Sequence, residues 1–254
     1  MSNQKKNHFD VIVVGAGHAG IEASLCSARL GLQTLLVTTN LERIGYMSCN
    51  PAIGGLAKGH MVREIDALGG EMGFATDESC IQYKRLNAKK GPAVRGSRSQ
   101  CDKDLYVVHM IKTIKNQKNL SLIQGEVKSL LLNGSICNGV RLRDGSEISS
   151  RKVVITTGTF MNAVMHVGLE QQSGGRVGDE ATTGLSDQLK SFGFKVFRLK
   201  TGTPPRLLKD SIDFSVMDPQ PGDDKFYPFS IRSEKKYKLP QVACYLAHTS
   251  EETH

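Results

Sequence analysis

Two stretches of this chain have residue types and spacings that could do chemistry. Met47-Ser48-Cys49-Asn50-Pro51-Ala52-Ile53-Gly54-Gly55 sets a thiol beside an Asn-Pro step and a glycine pair. Proline disfavours helix at the residue before it, so Cys49 is expected on a loop. The glycines let backbone N–H groups approach a ligand closely. Upstream lies Gly15-Ala16-Gly17-His18-Ala19-Gly20, a G-x-G-x-x-G pattern. Here the chemistry is binding. Gly15 permits a tight turn, Gly17 lets the backbone reach a pyrophosphate, and Gly20 lets the next helix pack close to the strand.

The flanking elements decide how much that pattern means. Val11-Ile12-Val13-Val14 precedes it, a β-branched run expected to be a strand buried on both faces of a parallel sheet. Ile21, Leu25, Ala28 and Leu30 follow, read as one face of a helix that Gly31 stops. Residues 33–37 form the next expected strand. Strand, glycine loop, helix and strand together predict a nucleotide site, because a helix N-terminus favours phosphate charge. The second strand ends in Thr38-Thr39-Asn40, without the acid that usually holds a ribose hydroxyl; Glu42 is the nearest. Asn40 or a threonine could take that role. The departure weakens a simple NAD-dehydrogenase reading and leaves FAD open.

Composition sets the outer limits. The 254 residues are 39% hydrophobic and 23% charged, ordinary for a globular protein and enough for one large domain or one with an insertion. Net charge is +8, from 33 Lys and Arg against 25 Asp and Glu. That balance fits a polyanionic partner such as nucleic acid, or simply a solvated basic surface. Aromatics are 6% with no tryptophan, so no base-stacking platform is evident. The 6 cysteines form no C-x-x-C pair, and no metal site is readable. Lys5 and Lys6 are followed by Asp10, which interrupts any apolar segment. Neither a signal peptide nor a membrane span is expected, and a cytoplasmic, reducing compartment follows.

Further along, residues 60–67 read as a helix with Met61, Ile65 and Leu68 on one side, ended by Gly69-Gly70. Residues 81–83 read as a short strand and 89–100 as a basic loop, where Arg95 and Arg98 offer forked donors to phosphate. Asp102 opens a helix to about Asn116 with Leu105, Val108, Ile111 and Ile114 inward. Strands are expected at 120–124, 127–132, 139–142 and 153–156, with turns at Asn133-Gly134 and Asp144-Gly145. The last of these, a buried strand, delivers Thr157-Gly158 to the same sheet edge as the glycine loop. From Phe160 the texture changes to short, glycine-rich elements. Residues 184–192 read as helix, and 195–199 and 212–216 as strands.

The motifs are together similar to one family. They are FDVIVVGAGHAG from Phe9, MSCNPAIGG from Met47, KGH from Lys58, EIDALGG from Glu64 and KGPAVRGSRSQ from Lys90. SGGRVGD from Ser173, RLKTGTPPR from Arg198 and IDFSV from Ile212 complete the set. The chain resembles the N-terminal part of the bacterial tRNA uridine carboxymethylaminomethyl-modification flavoproteins (MnmG, also called GidA). The resemblance implies an α/β fold: a Rossmann-like FAD-binding fold of the two-dinucleotide type with an inserted mixed α+β substrate domain. The expected division is 1–159 for the FAD-binding domain with a β-hairpin insertion, and 160–254 for the start of the substrate and NADH domain.

The resemblance further implies FAD as cofactor, with NADH and methylenetetrahydrofolate as cosubstrates and glycine or ammonium as amine source. Substrate and partners would be the wobble uridine of tRNA, the GTPase MnmE and a second copy of the chain. Cys49 matches a cysteine implicated in activity. A thiolate could add to carbon six of uridine and make carbon five nucleophilic; nucleophile, acid–base and redox roles all stay open. Gly15 to Gly20 would hold the pyrophosphate, Val127 the adenine through strand backbone, and Thr182 the flavin. Arg95, Arg98, Arg176 and Arg206 are candidates for tRNA phosphate, folate or NADH. The family runs well beyond His254, so the chain is expected to be a truncated form or part of a split gene. The alternatives are a folate- and FAD-dependent tRNA uridine methyltransferase, from which MSCNPAIGG and KTGTPPR point away, and a non-catalytic remnant that only dimerises or binds the GTPase.

Overall fold

The computed structural model describes residues 8–254 other than Cys49, Asp179 and Thr203. The expectation of a loop at Cys49 therefore lies outside the described residues. In chain order the first elements are β1 (His8–Val14), α1 (His18–Arg29), β2 (Thr34–Thr38), β3 (Ala52–Gly54), α2 (Lys58–Ala67) and α3 (Met72–Glu78). Then come β4 (Cys80–Leu86), β5 (Gly96–Cys101), α4 (Lys103–Asn116), β6 (Leu120–Gln124), β7 (Val127–Asn133) and β8 (Ile136–Leu142). The last are β9 (Glu147–Ile155), β10 (Val164–Val167), β11 (Glu170–Ser173), α5 (Leu185–Ser191), β12 (Asp218–Gln220) and β13 (Cys244–Leu246). They form two compact units, one of Met1–Tyr46 with Val107–Lys200, the other of Met47–Tyr106 with Thr201–His254.

The first unit is built on a six-stranded sheet ordered β6-β2-β1-β9-β8-β7. Strands β6, β2, β1 and β9 run parallel, and β8 and β7 fold back antiparallel. Val11 to Val14 are all buried, as a central strand covered on both faces requires. Phe9, Ile12, Val14, Leu35, Val37, Val140 and Leu142 share one core cluster. Helix α1 lies against β1 and β2 and buries Ile21, Leu25 and Ala28. The strand after β1 lies on one side of it and β9 on the other, so the order reverses between β1 and β9. In an open α/β sheet the crevice for a ligand lies there, beyond the carboxyl ends of the strands. This is a Rossmann-like α/β sheet.

The second unit pairs a three-stranded antiparallel sheet, β3-β5-β4, with α2 and α3. Buried carboxylates tie its two chain segments together. Asp77 accepts from the Phe229 and Ser230 N–H groups at 2.9 and 2.8 Å, and Asp66 accepts from Ile231 N–H at 3.0 Å. Arg232 sits 3.4 Å from both Asp66 and Glu71, and its guanidinium lies 4.9 Å over the Phe74 ring. Here the carboxylates replace ladder bonds for an otherwise irregular segment.

Several expectations are corrected. Leu30 is 75% exposed, because it lies about 180° around the helix from Ile21. On α2 Met61 and Leu68 are exposed, and Gly59, Val62 and Asp66 are buried instead. Asp66 is inside because it holds Ile231 and Arg232, and Gly59 because it packs so close to Ser97 that an added Cβ would meet Ser97 O at 2.8 Å. On α4 the buried residues are Tyr106, Val107, Met110 and Ile114; Leu105 and Val108 are exposed. A spacing of three drifts about 60° per step and cannot stay on one face, whereas 106, 110 and 114 drift only about 40°.

Residues 89–100 are not all loop: β5 is a strand paired on both sides, and its buried Gly96 and Ser99 hid it in a polar run. Strand β9 starts at Glu147, and Val154 within it is 37% exposed, because successive side chains of a strand point to opposite faces and only one of its faces is covered at this point. Residues 195–199 join no strand, since a strand needs a neighbour to pair with. Residues 212–216 hold a 3₁₀ turn, Phe214–Val216, because the Asp213 side chain accepts from Ser215 N–H at 2.9 Å and closes a local turn.

Candidate nucleotide-binding site

The glycine loop is tight at two points and open at the third. Gly15 has φ +100° and its N–H donates to Val37 O at 2.8 Å, locking the loop to β2. A Cβ on Gly15 would meet Thr156 O at 2.5 Å, and one on Gly20 would meet Gly15 O at 1.7 Å. A Cβ on Gly17 would meet nothing within 4 Å. Gly15 and Gly20 are thus demanded by the fold itself, while Gly17 borders open space. Thr156 closes the crevice from β9: its N–H and hydroxyl both lie 2.8 Å from Val14 O, and the hydroxyl is 3.0 Å from Gly15 O. Gly17 is the N-cap of α1 and offers no side chain, and no acid occupies the first turn. Helix geometry points the first-turn N–H groups out of the N-terminal end, and the dipole there favours an anion.

A continuous rim runs from this loop within the same unit. Gly45 N–H donates to Ala16 O at 2.9 Å and sets Tyr46 beside the loop. The Arg176 guanidinium lies between two rings, 5.2 Å from the Tyr46 centroid and 4.9 Å from that of Phe160. Arg43 approaches the Tyr46 ring at 5.7 Å. Phe160 O accepts from Thr182 N–H at 2.9 Å. Next along, Thr183 N–H reaches Glu126 at 3.4 Å, and Gly184 packs on Lys128 O, so the Thr182 segment meets the start of β7 at buried Val127. The Thr182 hydroxyl oxygen is buried and has no hydrogen-bond partner. The Asn40 side-chain oxygen accepts from Glu42 N–H at 2.8 Å, which leaves its amide N–H groups as the donors it could offer a ribose.

A family model described as "Glucose inhibited division protein A" matches residues 10–254. The chain belongs to the glucose inhibited division protein A (GidA) family. Relatives named tRNA uridine 5-carboxymethylaminomethyl modification enzyme MnmG include one from Bdellovibrio bacteriovorus, 68% identical over 100% of this chain and 39% of its own length. Another, from Geobacter sulfurreducens, is 55% identical over 98% of this chain and 40% of its length. A solved structure of Aquifex aeolicus GidA matches at TM-score 0.89 with 48% identity, covering 94% of this chain and 41% of that one. The GidA-family chain thus spans about two fifths of the relatives it matches.

The remaining sequence-predicted residues of this GidA-family chain lie in its second unit. Arg98 is half-buried on β5, and Arg95 ends the 3₁₀ turn Pro92–Val94. Arg206 is exposed, with a guanidinium contact to Pro204 O at 3.4 Å. Arg176 lies in the same unit as the glycine loop. Tyr46, Phe160, Arg43 and the Thr156 hydroxyl are site residues that carry no motif of their own. Among the cysteines, Cys80 and Cys101 face each other across β4 and β5, and burial pushes their thiols up to about 11 and about 12. Burial disfavours the thiolate of both, as expected of cysteines that pack in a core. A cavity of about 600 Å³ over β7, β8 and β9 is lined by Ser129, Leu132, Arg141, Glu147 and Gln188 but by no glycine-loop residue. Among the described residues no cluster suits a metal ion and no helix is long and apolar enough to cross a membrane.

Proposed function

We propose that this chain carries the FAD-binding part of a flavoenzyme that modifies carbon five of the wobble uridine in tRNA, adding a carboxymethylaminomethyl or aminomethyl group. The observation that carries the reading is 68% identity across the whole chain with a relative named for that modification. Residues 1–159 hold FAD, and 160–254 open the inserted substrate and NADH domain, a division by ligand that is separate from the two compact units. Methylenetetrahydrofolate supplies the carbon, NADH the electrons, and glycine or ammonium the amine. The working form is a cytoplasmic homodimer with the GTPase MnmE.

The residues present suit FAD. Open space at Gly17 admits a pyrophosphate against the N-terminus of α1, and the buried Thr182 hydroxyl lacks the partner that a flavin ring atom would provide. FAD, when bound, supplies the redox chemistry for the folate-derived carbon. The chain's own residues position and protect. Gly15, Ala16, Gly17, His18, Ala19 and Gly20 cradle the pyrophosphate, Val127 backbone meets the adenine, and Arg176, held between Tyr46 and Phe160, presents positive charge to the bound anion. Arg95, Arg98 and Arg206 serve tRNA, folate or NADH anions. Cys49 attacks carbon six of uridine; the new S–C bond places electron density on carbon five and is broken when the product forms.

Mass analysis of tRNA nucleosides from a strain lacking this gene tests the reading. The 5-substituted wobble uridine should disappear. Loss of 5-methyluridine instead would establish the methyltransferase alternative.

A further inference from the structure

The basic excess of this chain is concentrated in one hairpin. Residues 84–98 carry six Lys and Arg and no Asp or Glu, leaving +2 of the net +8 to all other residues. The fold turns this run into the antiparallel pair β4–β5, closed between Leu86 and Gly96.

The six cations have distinct uses. Lys84 lies 3.6 Å from Asp223 and donates to Pro221 O at 3.0 Å. Arg85 stacks on Tyr227 at 4.9 Å. Arg95 is turned inward: its Nε donates to Lys90 O at 2.9 Å, and Asn87 Nδ2 donates to Val94 O at 3.1 Å. Asn87 takes φ +54° to allow this closure. These bonds brace the tip and hold Lys89 and Lys90 outward, where both are exposed. Arg98 stands directly opposite Lys84 in the ladder. Like charges facing each other there are destabilising. Asp223 offsets Lys84, whereas Arg98, Lys89 and Lys90 have no acidic partner among the described residues. A surface that keeps three uncompensated cations on a braced hairpin suits an external polyanion.

We propose that the β4–β5 hairpin is a nucleic-acid backbone contact, with Lys89, Lys90 and Arg98 taking phosphates and Arg95 bracing the tip. This rests on the tRNA reading above and deepens it by assigning the phosphate contacts.

The test titrates the purified 254-residue chain with an unmodified tRNA transcript, by fluorescence anisotropy, between about 50 and 200 mM salt. The triple variant Lys89→Gln/Lys90→Gln/Arg98→Gln should lower the slope of log affinity against log salt by about 2. Arg98→Lys should keep most of it. Lys112→Gln/Lys115→Gln on exposed positions of α4 removes similar charge elsewhere and should leave the slope unchanged. If Arg98→Gln lowers the melting temperature, the tip variant Lys89→Gln/Lys90→Gln alone should still lower the slope by more than 1.

A wild-type chain with no salt-dependent binding overturns the proposal. So does a triple variant with the wild-type slope, an equal effect of the α4 control, or binding to phosphatidylserine vesicles in place of RNA. The nucleoside assay reads the activity separately. Normal wobble uridine in the deletion strain, with the hairpin slope effect intact, would sink the tRNA-modification reading and leave the contact standing.

Discussion

The Gly20 Cα faces the Gly15 carbonyl so closely that an added Cβ would sit 1.7 Å from its oxygen. This one approach fixes the start of α1 against the end of β1. Alanine usually stabilises a helix by about 1 kcal/mol over glycine. Here the clash is with backbone and outweighs that gain. Gly20→Ala should destabilise the chain by about 3 kcal/mol or more, read as a lower denaturant midpoint. A midpoint equal to wild type would mean that the loop is not packed this way.

Thr182 offers the opposite case. Its buried hydroxyl oxygen has no partner, so removing it should not harm the fold without ligand. Thr182→Val should leave stability unchanged or raise it by about 1 kcal/mol, and should weaken FAD binding by about tenfold. Calorimetry of the variant with and without FAD separates the two effects. A loss of stability without FAD would show that the hydroxyl is satisfied within the protein.

Asp77 gives a pH dependence of definite sign. Burial pushes its carboxyl up to about 6, against the pull of the Phe229 and Ser230 N–H donors. Between about pH 4 and 6 the unfolded chain gives up this proton first, so the contribution is fully present below pH 4 and is lost as pH rises through 6. The gap corresponds to about 3 kcal/mol. Stability profiles of wild type and Asp77→Asn should therefore differ in slope across that window, the wild type falling more steeply. Parallel profiles would remove burial as the dominant effect.

Arg232 reaches two carboxylates whose side chains are 1% and 5% exposed. Replacing it takes this cation away from both buried carboxylates. Arg232→Met should cost about 3 kcal/mol in urea denaturation. A loss below about 0.5 kcal/mol would place this pair with ordinary surface ion pairs.

The local parts of the fold were legible in the residues, and the non-local parts were not. The Val11–Val14 strand, the glycine turn and α1 follow from neighbours in sequence, and β6 and α5 emerged where the pattern placed them. Strand β5 did not, because Gly96, Ser99 and Gln100 look like loop and become strand only when β3 and β4 pair on either side. Asp66 is buried because a segment beginning at Phe229 needs its oxygens, which no helical pattern contains. The glycine loop was visible as a motif, but the Tyr46–Arg176–Phe160 clamp joins residues too far apart in the chain to read together.

The most direct measurement concerns Gly17, whose Cα borders open space. Flavin fluorescence quenching is recorded as the purified chain is titrated with FAD, for wild type and for Gly17→Ala, with melting temperatures measured alongside. Wild type should quench, and Gly17→Ala should melt within about 3 °C of it but bind FAD at least about tenfold more weakly, because the added methyl occupies pyrophosphate space. Equal FAD affinity in a folded Gly17→Ala chain, or no binding by wild type, would contradict it.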